Sequence, residues 1–244
     1  MVTSVGAGMA VLCKREEIAH DTMAFYFDKP AGFDFRAGQA IDLTLIEPPE
    51  TDGEGNTRTF SIASAACDAQ LMVATRMRDT AFKRVLKTVA LGTAVKLDGP
   101  SGSFTLHKNQ AKDGVFLGGG IGIAPFLSII RQAASDKLAQ QLYLFYSNRR
   151  PEDAPFVDAL QDCARQNPNF HFVPTMTNLE ASKQAWTGEM GKITVGMVSK
   201  HVRTLKGPIY YVAGPPGMVT AMRQMLAGGG VDEDDIRTEE FAGY

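Results

Sequence analysis

Short runs of alternating apolar and polar residues fill the N-terminal half of the chain. They occur at residues 23–27, 41–45, 71–76 and 95–97, and turns rich in glycine, proline and acidic residues separate them. Successive side chains of a strand point to opposite faces, so a period of two indicates half-buried strands. This half is therefore predicted to form an antiparallel barrel or sandwich, with residues 48–56 as an exposed hairpin loop.

One helix interrupts this β-rich half. Apolar residues recur there at the i, i+3, i+4 and i+7 positions of one helical face, namely Phe82, Val85, Leu86 and Val89. Asp79 or Thr80 can cap the helix N-terminus by accepting a backbone hydrogen bond. The first turn then presents free amides beside basic side chains, which makes it a possible anion site.

The period changes after about residue 113. Strand candidates lie at residues 115–117, 142–146, 170–174 and 209–212. Helical patterns lie between and after them, at residues 125–134, 156–164, 194–202 and 218–226. Alternating strands and helices favour an open parallel sheet with helices on both faces. The polar, aperiodic segment 107–113 separates two predicted domains, residues 1–108 and 109–244.

Composition narrows the possible partners. The chain has 244 residues, enough for two modest hydrophobic cores. Its net charge is −2, and its lysines and arginines are spread along the sequence, so no nucleic-acid partner is expected. Three distant cysteines without a C-x-x-C pair exclude a four-cysteine iron–sulfur cluster within this chain and do not indicate a disulfide framework. No metal site, signal peptide or membrane span is expected, and a cytoplasmic location is predicted.

A glycine-rich stretch follows the first strand of the C-terminal half. The loop comprises Gly118, Gly119, Gly120, Ile121 and Gly122. Pro125 comes where a helix begins, in the first turn, whose residues need no backbone N–H. Glycines let backbone amides approach phosphate oxygens, and the helix dipole attracts negative charge, so this segment can cradle a diphosphate. A tight turn without a ligand is the alternative.

A second stretch, residues 58–61, combines an arginine, an aromatic ring and two hydroxyl groups. Along an extended strand Arg58 and Phe60 share one face, and the hydroxyl groups occupy the other. A guanidinium can pair with a phosphate, and an aromatic ring can lie against a planar heterocycle. The stretch therefore suits a flat ligand that carries phosphate.

Five motifs occur together in this chain: RTFS at 58–61, GPSGSF at 99–104, GGGIGIAP at 118–125, AGPPGM at 213–218 and EEFAGY at 239–244. With the motifs in this order, the chain resembles the ferredoxin–NADP⁺ reductase superfamily of FAD-dependent oxidoreductases over its whole length. The resemblance implies an N-terminal flavin-binding antiparallel β-barrel. It also implies a C-terminal Rossmann-like domain for NAD(P)H and no attached iron–sulfur domain.

In the barrel, the resemblance implies that Arg58 binds the FAD diphosphate, Phe60 stacks on the isoalloxazine and Ser61 lies near flavin N5. Further candidate FAD ligands are Thr59, Thr75, Thr80, Ala81 and Lys83. The family more often has tyrosine at the position of Phe60. Stacking survives this change, whereas the hydrogen bond of the phenolic hydroxyl is lost.

In the C-terminal domain, the resemblance assigns the loop 118–122, with Pro125, to the diphosphate of the nicotinamide nucleotide. A second loop lies beside the nicotinamide in this family, and its candidate residues are Gly214, Pro215, Pro216 and Met218. Family members usually carry a cysteine at the position of Ala213. Hydride transfer needs two aligned cofactors and not a thiol nucleophile, so alanine is compatible with activity.

Ser147, Arg149 and Arg150 follow the predicted strand 142–146, where a doubly wound sheet meets the adenosine ribose. Serine and arginine suit a 2′-phosphate, whereas an acidic residue would suit a free 2′-hydroxyl. The cluster therefore slightly favours NADPH over NADH. Ordinary surface arginines before a helix are the alternative.

The terminal motif corresponds, by the same resemblance, to a tail that returns to the flavin. Phe241 matches an aromatic residue that covers the flavin face awaiting the nicotinamide, and Glu239 matches a carboxylate associated with proton traffic. Ser61 and Glu239 are thus the candidate catalytic residues. The chain continues three residues beyond Phe241, so Tyr244 can share the covering role. A frayed, solvated tail is the alternative.

The predicted function is that of an FAD-dependent oxidoreductase that transfers hydride between NAD(P)H and flavin. The electrons then pass to a separate acceptor, with a ferredoxin expected first and a flavodoxin or an oxygenase component next. Two alternatives stay open: a reductase of free flavin or ferric chelates, and a flavin-binding electron-transfer subunit without its own turnover. The sequence does not indicate the oligomeric state.

Overall fold

Two six-stranded sheets form the framework of the computed structural model, which describes residues 8–241. The first sheet contains β1 (Gly8–Ala19), β2 (Thr22–Asp28), β3 (Ala40–Leu45), β4 (Thr57–Ser61), β5 (Gln70–Arg76) and β6 (Ala94–Ser101). Its strands run antiparallel in the order β4–β3–β6–β1–β2–β5. A bridge between Ile62 and Val73 joins the two edges, so the sheet closes into a barrel.

Apolar residues at alternate strand positions fill this barrel, as the period of two predicts. The helix α1 (Ala81–Thr88) packs its apolar face into the same core. The buried cluster includes Phe25, Phe27, Ile41, Leu43, Phe82, Val85 and Leu86. Thr80 caps α1, since its side-chain oxygen accepts a bond of 3.4 Å from the Lys83 amide. The predicted cap and helix are thus both present.

The second sheet is parallel throughout, with strand order β10–β9–β8–β7–β11–β12. Its strands are β7 (Gly114–Gly119), β8 (Leu142–Asn148), β9 (Phe170–Met176), β10 (Glu189–Met190), β11 (Ile209–Gly214) and β12 (Ile236–Glu240). Between and after them come α2 (Ile123–Ser135), α3 (Val157–Gln166), α4 (Val195–His201) and α5 (Pro216–Gly228). Strands and helices alternate as the change of period predicts.

Helices cover both faces of this sheet, which confirms the predicted fold class. Phe116 of β7 packs in one cluster with α2 and α3. Its neighbours Val115 and Leu117 point to the other face and pack with α4 and α5. Every residue of β7 is buried, as expected for the centre of a parallel sheet.

Three strands, β1, β10 and β12, have no counterpart in the sequence pattern. Residues 236–240 pair with β11 along its length, and Glu239 lies opposite Ala213. The alternative of a frayed tail is therefore wrong for these residues. The strand is polar and lies at the sheet edge, so it lacks the apolar run that marks a buried strand. Tyr244 lies outside the described residues.

The two halves meet where the strand order of the parallel sheet reverses, between β7 and β11. Open α/β sheets bind ligands in the crevice at this point. Ala24, Met72 and Ala74 on the barrel share one buried cluster with Ile121 of the glycine loop and Ala124 at the start of α2. This shared packing holds the barrel against the carboxyl end of the sheet.

The described residues also limit other classes of site. None of the helices within residues 8–241 has the length and apolar character needed to cross a bilayer. Cys13, Cys67 and Cys163 are all unpaired. Across the same residues, no three His, Cys, Asp or Glu side chains come together as metal ligands.

Candidate active site

A cavity of about 370 Å³ lies between the barrel and the carboxyl edge of the parallel sheet. Seven predicted FAD ligands line it: Arg58, Thr59, Phe60, Ser61, Thr75, Thr80 and Lys83. Ile121 of the glycine loop and Phe241 line it from the C-terminal half. The cavity is thus bordered by strand β4, the end of β5, the start of α1 and the last described residue of the chain.

Ser61 and Glu239, the two candidate catalytic residues, are in direct contact although 178 positions separate them. The Ser61 hydroxyl donates a hydrogen bond of 3.0 Å to Oε1 of Glu239. The other carboxylate oxygen, Oε2, is buried and has no hydrogen-bond partner within residues 8–241. Burial raises the pKa of Glu239, and the bond from Ser61 opposes this rise. The carboxyl group can therefore hold a proton beside the cavity.

Aromatic and aliphatic side chains form the apolar wall of the cavity. Phe60 is buried, and its ring centroid lies 6.0 Å from that of Phe82 on α1. Ile121 faces the cavity from the glycine loop. The amide of Phe241 donates to the Gly214 carbonyl at 3.0 Å, which fixes the backbone beyond β12. The wall suits a planar, apolar ring system.

Basic groups gather at the α1 end of the cavity. The Arg58 guanidinium lies 5.2 Å from the ring centroid of Phe82 and pairs with Glu54 at 2.7 Å. The Lys83 ammonium is half-buried and donates to the Arg76 carbonyl at 2.6 Å. Burial lowers the pKa of Lys83, and the neighbouring Arg78 and Arg58 charges add to this. An anion placed here would relieve that repulsion.

The predicted ligand Ala81 has a different place. Ala81 is the first residue of α1, and its side chain is buried and does not line the cavity. Its amide donates to Oδ2 of Asp52 at 2.9 Å. Sequence reasoning also missed Arg76 and Arg78, which line the cavity at the end of β5. The available signal was a pair of arginines near the end of the predicted strand 71–76, since Arg76 ends that strand and Arg78 follows two residues later.

The glycine loop requires glycine because two segments approach each other closely. A Cβ atom added to Gly122 would lie 2.5 Å from the Ala213 carbonyl oxygen, and one on Gly119 would lie 2.2 Å from Met218 Sδ. Gly120 has a φ of 52°, which glycine adopts at little cost. The loop leads through a short 3₁₀ turn into α2, with Pro125 in the first turn of that helix. Gly118 lies at the end of β7.

The glycine loop contacts the second predicted loop, residues 214–218. Gly214 ends β11, Pro215 caps α5, and Pro216 begins that helix. The Met218 amide donates to the Pro215 carbonyl at 2.9 Å. The two motifs therefore form one continuous surface at the carboxyl ends of β7 and β11, where open sheets bind nucleotides.

Arg149 and Arg150 follow β8 and border a separate cavity of about 300 Å³, together with His20 of the barrel. Arg150 forms a bidentate pair with Asp153, at 2.8 and 2.7 Å, and this pair lowers the pKa of Asp153. Arg149 is exposed, and its side chain makes no hydrogen bond or ion pair within residues 8–241. Ser147 is half-buried on β8 and does not border this cavity.

These side chains fit an FAD. The apolar wall suits the ring system of a flavin, the basic groups at one end suit its diphosphate, and Oε2 of Glu239, which has no partner among the described residues, is free to bind a ligand atom. The adjoining glycine surface fits the diphosphate of a second nucleotide.

Comparison with protein families agrees with this geometry. The model of the oxidoreductase FAD-binding domain matches residues 9–106, and the model of the oxidoreductase NAD-binding domain matches residues 116–224. The chain belongs to the ferredoxin–NADP⁺ reductase superfamily. Its domains bind FAD and a nicotinamide dinucleotide, as the resemblance implied. The preference for NADPH stays a prediction.

Among its relatives, the reductase component of propane 2-monooxygenase from Rhodococcus jostii is 29% identical to the chain over 221 residues. This alignment covers 87% of the present chain and 57% of that protein. Methane monooxygenase component C from Methylosinus trichosporium is 39% identical over 138 residues, which cover 55% of this chain and 38% of that protein. The chain thus spans well under two thirds of these relatives.

Solved structures share the two-domain superfamily fold. The Amycolatopsis cytochrome P450 reductase GcoB superposes with a TM-score of 0.82 at 25% identity, covering 99% of this chain and 72% of that one. A ferredoxin NADP⁺ reductase from Neisseria gonorrhoeae, solved with FAD and NADP, superposes with a TM-score of 0.78 at 23% identity. The latter covers 96% of this chain and 98% of the other.

Proposed function

We propose that this protein uses NAD(P)H to reduce a bound FAD and passes the electrons to a separate protein acceptor. One contact carries the proposal. The Ser61 hydroxyl of the barrel meets the Glu239 carboxylate of the parallel sheet at 3.0 Å, at the edge of the cavity. A pair that can hold a proton where two domains meet serves turnover, and a subunit that only binds flavin does not need it.

The groups of the barrel divide the work in this proposal. FAD, when bound, accepts a hydride and releases electrons singly or in pairs. Arg58 and Lys83 would hold the diphosphate, and Phe60 would lie against the ring system. Ser61 would orient the Glu239 carboxyl, so that a proton is held at a defined oxygen.

The groups of the C-terminal domain supply alignment. The loop 118–122 would bind the diphosphate of the nucleotide through its backbone amides. The loop 214–218 packs against it and would limit where the nicotinamide can lie. Phe241 would exclude water from the flavin until a nucleotide enters. Most of the rate enhancement in this scheme comes from positioning two ring systems.

For the acceptor we propose an oxygenase component or a ferredoxin-type protein. Relatives named as reductase components of propane and phenol monooxygenases support the first of these. The resemblance in sequence favoured a ferredoxin, with an oxygenase component as an alternative. A cytoplasmic location, expected from the sequence, goes with this proposal.

Anaerobic stopped-flow reduction tests the hydride step. The purified flavin-bound protein is mixed with NADPH or with NADH, and bleaching of the flavin absorbance is followed. Rapid bleaching with at least one nucleotide is expected, followed by reoxidation when a protein acceptor is added. Bleaching with neither nucleotide would contradict the proposal. Reduction of added free flavin without retention of FAD would instead favour the free-flavin reductase.

The predicted preference for NADPH over NADH can be tested at Arg149, because Arg150 already forms a bidentate ion pair with Asp153. Arg149→Ala should raise KM for NADPH about tenfold through loss of a charge-assisted bond, and should leave KM for NADH nearly unchanged. Arg165→Ala, an exposed arginine on α3, is the matched control and should change neither value. Equal effects of Arg149→Ala on both nucleotides would contradict a 2′-phosphate role.

A further inference from the structure

The connection between β3 and β4, residues 46–56, is an acidic loop that contains Glu47, Glu50, Asp52 and Glu54. Three of these carboxylates bind groups near α1. Glu50 forms a bidentate pair with Arg84, with both distances at 2.9 Å. The other two reach the edge of the flavin cavity. The loop is therefore attached to the barrel at two different places.

Asp52 and Glu54 both contact Arg58, which is predicted to hold the FAD diphosphate, and Asp52 also binds the backbone amide of Ala81. Oε2 of Glu54 lies 2.7 Å from Nη2 of Arg58, and Oδ1 of Asp52 lies 3.7 Å from the same nitrogen. Oδ2 of Asp52 accepts the Ala81 amide at 2.9 Å, at the N-terminus of α1. A carboxylate and a phosphate compete for the same donors, since both bind guanidinium forks and helix N-termini.

We propose that the acidic loop is an internal competitor of the FAD diphosphate, which binds only as Asp52 and Glu54 release Arg58. The inference rests on the proposed function in taking FAD as the ligand of this cavity. The loop thereby sets how tightly the protein retains its flavin, a property on which the proposed reductase depends.

The contacts of Asp52 and Glu54 are of a kind that a ligand can replace. The side chains of Asp52 and Glu54 are 33% and 68% exposed, whereas that of Arg58 is 19% exposed. Ion pairs that are partly open to solvent make only a modest contribution to stability. Gly53 and Gly55 flank Glu54, and Gly55 has a φ of 75°, so the backbone here can change course at low cost. Arg84 does not line the cavity, so its pair with Glu50 can persist while the rest of the loop moves.

The test compares two double variants of the full chain after its flavin has been removed. Asp52→Asn with Glu54→Gln removes the competing charges, and the side-chain oxygen retained by Asp52→Asn can still accept the Ala81 amide. Glu47→Gln with Glu50→Gln removes the same charge from the same loop without touching Arg58 or Ala81. Affinities for FAD and for riboflavin, which lacks the diphosphate, are measured by quenching of flavin fluorescence. The Tm of each flavin-free protein is measured as well.

The first variant should bind FAD roughly three- to tenfold more tightly than the wild type, the gain expected from releasing two partly exposed ion pairs. Its affinity for riboflavin should not change. Its Tm without flavin should fall by a few degrees, because the same contacts stabilise the empty barrel. The control variant should leave FAD affinity within about twofold of the wild type.

Three results would overturn the inference. Weaker FAD binding together with a lower Tm would mean that the carboxylates orient Arg58 for the diphosphate. Equal tightening in both variants would reduce the effect to general electrostatics. A wild-type protein that binds riboflavin and FAD equally well would show that the diphosphate is not recognised here. Failure to bind any flavin would instead contradict the proposed function itself.

Discussion

Glu239 combines burial, a raised pKa and an oxygen that has no partner within residues 8–241. Its position is fixed twice, by the pairing of β12 with β11 and by the hydrogen bond from Ser61. A carboxyl group held in this way keeps its proton at a higher pH than a surface glutamate does. It is therefore suited to hold a proton beside a flavin.

The raised pKa predicts a specific dependence of stability on pH. Above the ordinary value of 4.5, the unfolded chain loses the Glu239 proton more readily than the folded one. The wild type should therefore become less stable relative to Glu239→Gln as pH rises above that value, and the difference should level off above the folded pKa. Thermal unfolding of both flavin-free proteins between about pH 4 and pH 8 measures this.

The control for this experiment is Glu240→Gln, an exposed neighbour on the same strand. Its Tm should follow that of the wild type across the pH range. A difference between wild type and Glu239→Gln that does not vary with pH would contradict the assignment. Because all other titrating groups are common to the two proteins, their difference isolates Glu239.

At the scale of elements, two loops act as one. The turn between β7 and α2 packs directly against the turn between β11 and α5, and Gly122 lies against the Ala213 carbonyl. Each loop belongs to a separate strand–helix unit. Because the two loops are in contact, a shift of one loop would displace the other and change the position of a bound dinucleotide.

Gly122→Ala should separate these loops. The new methyl group would meet backbone at 2.5 Å and cannot be relieved by a side-chain rotation, so we expect a loss of about 1–3 kcal/mol in stability. KM for the nucleotide should rise at least several-fold. Gly228→Ala, at the end of α5 and away from both loops, has no atom within 4 Å of the added Cβ, and it should be neutral. Thermal unfolding and steady-state kinetics of both variants check this, and equal behaviour would contradict it.

At the scale of the molecule, hydrogen bonds join the two halves. The hydroxyl of Ser128 on α2 donates to the carbonyl of Ser64 at 2.6 Å, and both residues are buried. The amide of His20 in the barrel donates to the carbonyl of Glu152 at 2.8 Å. Together with the shared apolar cluster, these bonds set the spacing of the flavin and nucleotide surfaces.

Ser128→Ala would leave the Ser64 carbonyl without this donor in a buried place. We expect a loss of about 2 kcal/mol, or about 4–8 °C in Tm. FAD affinity should change little. Flavin reduction by the nucleotide should slow, because the flavin-binding and nucleotide-binding surfaces would no longer be held at a fixed distance. Ser135→Ala, exposed at the end of α2, is the matched control. Equal Tm values for the two variants would contradict this role.

Local patterns in the sequence determined the elements and their order. The period of two marked β2, β3, β5 and β6, although not β1, and the helical spacing of Phe82, Val85 and Leu86 marked α1. The glycines at 118–122 marked the loop between β7 and α2. These features depend on residues a few positions apart, and so they can be read along the chain.

Tertiary structure alone decided which distant groups meet. The pairing of Ser61 with Glu239, the pairing of Arg150 with Asp153 and the occupation of Arg58 by Glu54 appear in no periodic pattern. The edge strand β12 was equally hidden, because its residues gain their role only from pairing with β11. Periodicity records which face of an element is buried, whereas the partner of a polar side chain depends on how separate elements pack.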